Sequence, residues 1–220
     1  MRQWMAALCA SLTIAGHAMA HSRDGTWTIV DADCSYKVLL HEQSTEMRRR
    51  GVPVETIAIR AGTGTHLYLE RTVQRSRIVE DLVAGVWVRA DRQGLQVLGR
   101  VVLPRARDPK TGRPHRLLIA GQIYENPGRW QQLRLAETPL ALQLSARVLR
   151  AQTSLAIDLR GAYLDSLVLN VFGGPGITRT WIDQVELEGR IDAVVAEDHV
   201  APDERTDPNA GPPVAPPRLR

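Results

Sequence analysis

Eight aromatic or polar side chains recur at positions from which they can share a surface. Arg60, Tyr68, Glu70, Trp87, Arg89 and Arg100 fall on the outward parity of alternating segments, and Tyr124 and Trp130 follow near strand ends. Flat rings cover the apolar faces of pyranose rings, and polar groups beside them meet the hydroxyls. The set Tyr124, Trp130, Trp87, Arg89, Tyr68 and Arg60 is therefore the candidate ligand-binding constellation. The competing reading places Trp87 and Trp130 in the core, because tryptophan is highly buried on average and only 5% of this chain is aromatic. Tyr124 sits between Gly121 and Pro127 in a loop, and exposure is expected for it.

Asp183 is the second feature. In the run Trp181-Ile182-Asp183-Gln184-Val185-Glu186-Leu187, strict alternation puts it on the side of Trp181, Val185 and Leu187. A carboxylate on an apolar side is costly unless it is paired or bound to a metal. Two readings stay open, a metal ligand or a strand-end acid bonded to backbone N–H groups or to an arginine. Catalysis finds little support. No serine lies in a Gly-x-Ser-x-Gly context, and Gly62-Thr63-Gly64 reads as a turn. Glu55, Glu70, Glu80 and Asp81 are acids that strands usually leave solvated, so no enzyme is expected.

The elements that would carry these residues are mostly strands. Apolar patches occur at Trp27 to Val30 and Tyr36 to Leu40. Ile57 and Ile59 alternate with Ala58 and Arg60, and after the glycine turn His66 to Val73 alternates again. Further strands are expected in Ile78 to Asp91, Leu95 to Leu103, Leu117 to Ala120, Trp130 to Leu135, Tyr163 to Phe172 and Trp181 to Leu187. Arg105 to Pro114 reads as a long loop on its Asp-Pro and Gly content. Leu140 to Ala151 reads as a helix with Leu140, Leu144, Val148 and Ala151 as its apolar stripe. Many short strands with one or two short helices imply an all-β, antiparallel β-sandwich of the jelly-roll, galactose-binding-like kind.

The ends have their own character. Arg2, the apolar run from Trp4 to Ala15 and Ala18-Met19-Ala20 form a secretory signal over residues 1–20. That places the sandwich domain at residues 21–195, outside the cytoplasm, secreted or periplasmic. No later segment is apolar enough for a membrane helix. From residue 196 to 220 prolines accompany Asp, Glu, Asn and Gly, and a disordered tail is expected. Cys9 leaves with the signal, so Cys34 has no partner for an internal disulfide. The formal net charge is +4, carried by 28 Lys and Arg of which only Lys37 and Lys110 are lysines. These are interleaved with acids, and Arg48-Arg49-Arg50 is the one dense run, so no nucleic-acid footprint is expected.

Three segments resemble the jelly-roll carbohydrate-binding modules attached to secreted bacterial glycosidases. Val86-Trp87-Val88-Arg89-Ala90-Asp91 is similar to that family's central strand, Gly128-Arg129-Trp130-Gln131-Gln132-Leu133 to a strand opened by tryptophan, and Trp181 to Leu187 to its closing strand. The likeness spans about Val54 to Gly189. Gln184 stands where the family usually has a second Asp, and the Arg105 to Pro114 loop is long. The resemblance implies a secreted, non-catalytic module binding a polysaccharide or glycan. It also implies a structural Ca2+ held by Asp183, with oxygen ligands from the Asp31 to Asp33 segment completing it. Two other readings remain, a protein–protein or cell-envelope scaffold domain without sugar affinity, and the N-terminal accessory part of a secreted glycoside hydrolase.

Overall fold

The computed structural model describes residues 20–21, 26–49, 51–108, 111–153 and 157–189. The expected signal, apart from Ala20, and the expected tail lie outside the described residues. The elements are β1 (Ala20–His21), β2 (Thr28–Ala32), β3 (Tyr36–Arg49), β4 (Val52–Ala61), β5 (Leu67–Arg77), β6 (Val83–Ala90), β7 (Gln96–Arg107), β8 (Pro114–Ile123), β9 (Gln131–Leu135), α1 (Thr138–Thr153), β10 (Tyr163–Asn170) and β11 (Gly176–Glu188).

Two antiparallel sheets face each other, as the sandwich expectation requires. Sheet one runs β3-β4-β11-β6-β9, with the short β1 also on β11; sheet two runs β2-β5-β10-β7-β8. Alternation explains the packing. Ile57 and Ile59 of β4, Val86 and Val88 of β6, and Ile182, Val185 and Leu187 of β11 point inward from sheet one. They meet Leu67 and Leu69 of β5, Val97, Val101 and Leu103 of β7, and Leu164, Leu167 and Leu169 of β10. Fully burying each such aliphatic contributes roughly 1.5–3 kcal/mol. Trp27 is also fully buried, and its amide donates to Glu55 Oε1 at 3.0 Å. Glu55 shares the inward parity of Ile57 and Ile59 and is buried, contrary to the expectation of a solvated strand acid. It also lies 2.6 Å from His41 Nε2, so the carboxylate is desolvated but partnered on two sides.

The two flanks of the sandwich differ. At one, β8 and β9 meet: the Arg134 amide donates to Gln122 Oε1 at 3.0 Å, and a side chain on Gly121 would clash with the Arg134 carbonyl at 2.8 Å. The helix α1 packs on β8 here, with Ser145 Oγ donating to the Leu118 carbonyl at 3.2 Å. Its buried face is Leu142 and Ala146. The expected stripe of Leu140, Leu144 and Val148 is about half exposed, so the helix exists but its inward face is the neighbouring one. At the other flank, β2 and β3 are edge strands. β3 is far longer than the patch ending at Leu40, because its residues after Leu40 are polar and carry no apolar alternation to announce it.

Two adjacent connections, β2 to β3 and β4 to β5, are among those that cross between the sheets at one end of the molecule. Asp33 joins them. Its carboxylate accepts from the Thr65 hydroxyl at 2.6 Å, from the Thr65 amide at 2.9 Å and from the His66 amide at 2.9 Å. Gly64 permits this closeness, since a Cβ there would lie 2.6 Å from the Cys34 Cβ. Cys34 itself is a free thiol.

Candidate functional site

The outer face of sheet one carries the densest set of rings and polar groups. On β6, alternation that turns Ala84, Val86, Val88 and Ala90 inward turns Trp87 and Arg89 outward. On β11 a register shift between Ile182 and Val185 inserts an extra residue. Ile182 and Val185 both still face the core. Asp183 is therefore released from the side of Val185 and Leu187 and stands opposite Trp87, with Trp181 on the same outer face. Strict alternation failed here because a β-bulge resets the parity.

Arg49 closes over this surface. The β3–β4 hairpin is paired as far as Arg49 and Val52, with Gly51 at φ 80° in its turn. The Arg49 guanidinium lies 3.6 Å from the Trp87 ring centre and 6.0 Å from that of Trp130, and it donates to Asp183 Oδ2 at 3.1 Å. The pair is mostly removed from water, with side-chain exposures of 12% and 6%. One face of Trp87 is thus already occupied by a cation, an arrangement favoured by the ring quadrupole. Arg89 lies 5.3 Å from the Trp181 ring centre. Beyond them Gln132 Nε2 donates to Glu186 Oε2 at 2.7 Å, and Arg134 donates to Glu188 Oε2 at 3.1 Å. Gly85 leaves room between these pairs, since a Cβ there would meet Gln132 Nε2 at 3.3 Å.

Three buried polar atoms on this face have no hydrogen-bond partner among the described residues: Thr56 Oγ1, Trp87 Nε1 and Arg89 Nε. Thr56 lies directly opposite Trp181, which lies opposite Arg89, so two of the three flank one row.

The expected constellation is therefore divided. Trp87, Arg89 and Trp130 gather on the outer face of sheet one, half-buried and not in the core. Arg60 shares that face but is exposed, four residues along β4 from Thr56 and between Lys37 and Ile177. Tyr68 belongs to the other sheet. Leu67 and Leu69 turn inward, so Tyr68 faces out from sheet two, stacked on His66 with ring centres 4.4 Å apart. Burial, with Asp31 and Asp33 nearby, pushes its hydroxyl pKa up. Glu70 and Arg100 also face out from sheet two, where they are consumed in a structural network. Arg100 grips Asp165 with two bonds of 2.8 and 3.0 Å and reaches Glu70, which also accepts from Ser166 Oγ at 3.2 Å.

Tyr124 overturns the expectation of an exposed ring. It is fully buried, and its hydroxyl accepts from the Ala90 amide at 3.1 Å and lies 2.7 Å from the Arg129 carbonyl and 3.2 Å from that of Ala90. It ties the 124–130 loop to the end of β6. Trp181 and Arg49 belong to the site and were not among the expected residues. The outward parity of Trp181 next to Asp183 was a usable signal; nothing in the sequence reports that a hairpin brings Arg49 over β6.

Of the acids singled out in the sequence, Glu55 is inside, Glu70 is bonded to Arg100, and Glu80 and Asp81 are exposed. The calcium site implied by the resemblance does not assemble. Asp183 is paired with Arg49, while Asp33 bonds Thr65 and His66 at the crossover, and among the described residues no three His, Cys, Asp or Glu side chains are grouped to hold a metal. No described helix is long and apolar enough to cross a membrane.

No family model matches the chain, and no curated protein does. Solved structures similar to it include carbohydrate-binding modules. They include a family 30 module of a cellulosomal cellulase of Clostridium thermocellum, at 10% identity and TM-score 0.42 over 76% of this chain and 91% of that one. A family 11 module of another cellulosomal cellulase of that organism is at 10% identity and TM-score 0.43 over 80% and 96%. A putative sugar-binding protein of Bacteroides thetaiotaomicron is at 12% identity and TM-score 0.42 over 77% and 90%. At these scores the likeness assigns neither ligand nor site.

Proposed function

We propose that the chain is an exported, non-catalytic module that binds carbohydrate on the outer face of sheet one. One observation carries the reading: Trp87, Trp130 and Trp181 share that face with Arg49, Arg89, Asp183 and Gln132. Sugar recognition requires this mixture, with rings for the apolar faces of the pyranose and polar groups for its hydroxyls. Because Arg49 lies closest over Trp87, Trp130 and Trp181 are the rings on which a sugar stacks, and the polar side chains beside them meet its hydroxyls. The secretory signal of residues 1–20 supports the reading by delivering the domain to where polysaccharides are met.

The test is affinity electrophoresis of the purified protein through gels containing soluble plant, algal and bacterial polysaccharides, followed by calorimetry on any that retard it. Trp181→Ala is expected to weaken binding about tenfold, which corresponds to ~1.4 kcal/mol for one lost stacking platform. Retardation by none of the polysaccharides defeats the proposal. A scaffold domain without sugar affinity would be favoured by burial of Tyr124, Trp87 and Trp130 together; Tyr124 is buried, whereas Trp87 and Trp130 are half-buried.

A further inference from the structure

The open flank carries an inference independent of the glycan reading. β3 ends sheet one, and no described strand pairs with its other side. Tyr36, Val38, Leu39 and Leu40 on it are 45%, 39%, 42% and 38% exposed. Edge strands are usually blunted, because a row of free amides and carbonyls invites pairing. Here the invitation is joined to apolar side chains. We propose that β3 pairs with β3 of a second copy of this chain, antiparallel about a twofold axis, so that sheet one continues from one subunit into the other.

The register follows from which way the side chains point. In such a pairing each residue meets one partner residue, the two numbers always summing to the same total, and the two must lie on the same face of the sheet. A regular strand satisfies this only for an even total. β3 is not regular: Val38 lies opposite Ile59 and Leu40 opposite Ala58, leaving Leu39 as an extra residue. Lys37, opposite Arg60, and Glu42, opposite Thr56, therefore both face outward. Val38, opposite Ile59, and His41, opposite Ile57, both face the inner side. The bulge thus permits an odd total. With a total of 79, Lys37 meets Glu42 of the second copy, Val38 meets His41, Tyr36 meets Gln43, and Leu39 and Leu40 sit at the axis.

Charge selects this register and this occupant. The twofold creates two Lys37–Glu42 contacts, each between opposite charges. Within one chain neither residue has an ion-pair partner among the described residues, and Lys37 lies beside Arg60, a like charge. The partner's Glu42 relieves that repulsion. The Leu39–Leu40 contact covers two of the exposed apolar side chains of the edge.

Sedimentation velocity across a concentration series tests this with four proteins. The unaltered protein is expected to show a monomer–dimer equilibrium. Lys37→Glu and Glu42→Lys each place like charges together twice and are expected to weaken the dimer about tenfold or more. The Lys37→Glu/Glu42→Lys double variant rebuilds both contacts with the charges exchanged and is expected to restore the original equilibrium to within a few-fold. Both sites of change are solvent-exposed, and circular dichroism checks that the variants fold. An unaltered protein that stays monomeric at all concentrations overturns the proposal. So do single variants that remain fully dimeric, or a double variant no better than the singles.

Discussion

Tyr124 and Arg49 show how far a residue's type can mislead about its place. A loop tyrosine between Gly121 and Pro127 has the local signature of an exposed ring, yet its hydroxyl is the bonding hub of the loop that precedes β9. Tyr124→Phe keeps the ring and strands the Ala90 amide without an acceptor. It is expected to lower stability by about 2 kcal/mol, read by chemical denaturation, and to leave glycan affinity unchanged. Arg49 is the opposite case, a member of the one dense basic run, to which the sequence assigns no binding role, yet it stacks on Trp87 and pairs with Asp183. Arg49→Ala leaves the Asp183 carboxylate mostly buried and alone, and is expected to cost about 3 kcal/mol by the same measurement. Asp183→Asn in that background is expected to recover part of the loss, because it removes the uncompensated charge. Both residues were illegible for one physical reason: their partners come from segments distant in sequence, 134 positions away for Arg49 and 34 for the Tyr124 contact with Ala90.

At the level of elements, legibility followed the strength of the alternation. β4, β5, β6 and β7 each bury one parity in the core and were visible as alternating or continuous apolar runs. The second half of β3 was not, because an exposed edge strand has no buried face to impose a pattern. β11 was visible, but its bulge reversed the side of Asp183, and no local signal marks a bulge in an apolar strand without glycine. The helix is instructive in the same way. Leu140, Leu144 and Val148 form the more regular apolar stripe, yet the structure buries Leu142 and Ala146. Packing on β8 decided the face, and two apolar faces on one helix left the choice open. The difference is measurable: Leu142→Ala is expected to cost about 3 kcal/mol, whereas Leu144→Ala should stay within roughly 0.5 kcal/mol in the same denaturation assay.

For the molecule as a whole, the question is what keeps two sheets in one relation so that the outer face of sheet one keeps its shape. The inward aliphatics hold them together without direction, since burial is not orientational. Direction comes from polar ties between the sheets and their crossovers: the Trp27 amide on Glu55, the Tyr124 hydroxyl at the end of β6, and Asp33 on Thr65 and His66. Of these, Asp33 makes the tie sensitive to pH. The Thr65 hydroxyl first, then the amides of His66 and Thr65, hold its carboxyl far below the usual carboxylate range. A lowered folded-state pKa means that the ionised form favours the native state. The stabilisation is complete above the ordinary value of 3.8 and is lost as pH falls through the lower, folded-state value. Asp33→Ala removes the tie at every pH. Its melting temperature is therefore expected to lie below that of the unaltered protein at pH 7, and the gap should narrow steadily as the pH is lowered from about 4 towards 2. A gap that stays constant over that range would show that the carboxylate's charge contributes nothing and that Asp33 acts only by filling space at the crossover. A gap that closes would place an acid-labile joint of the sandwich at the end where the β2–β3 and β4–β5 connections meet.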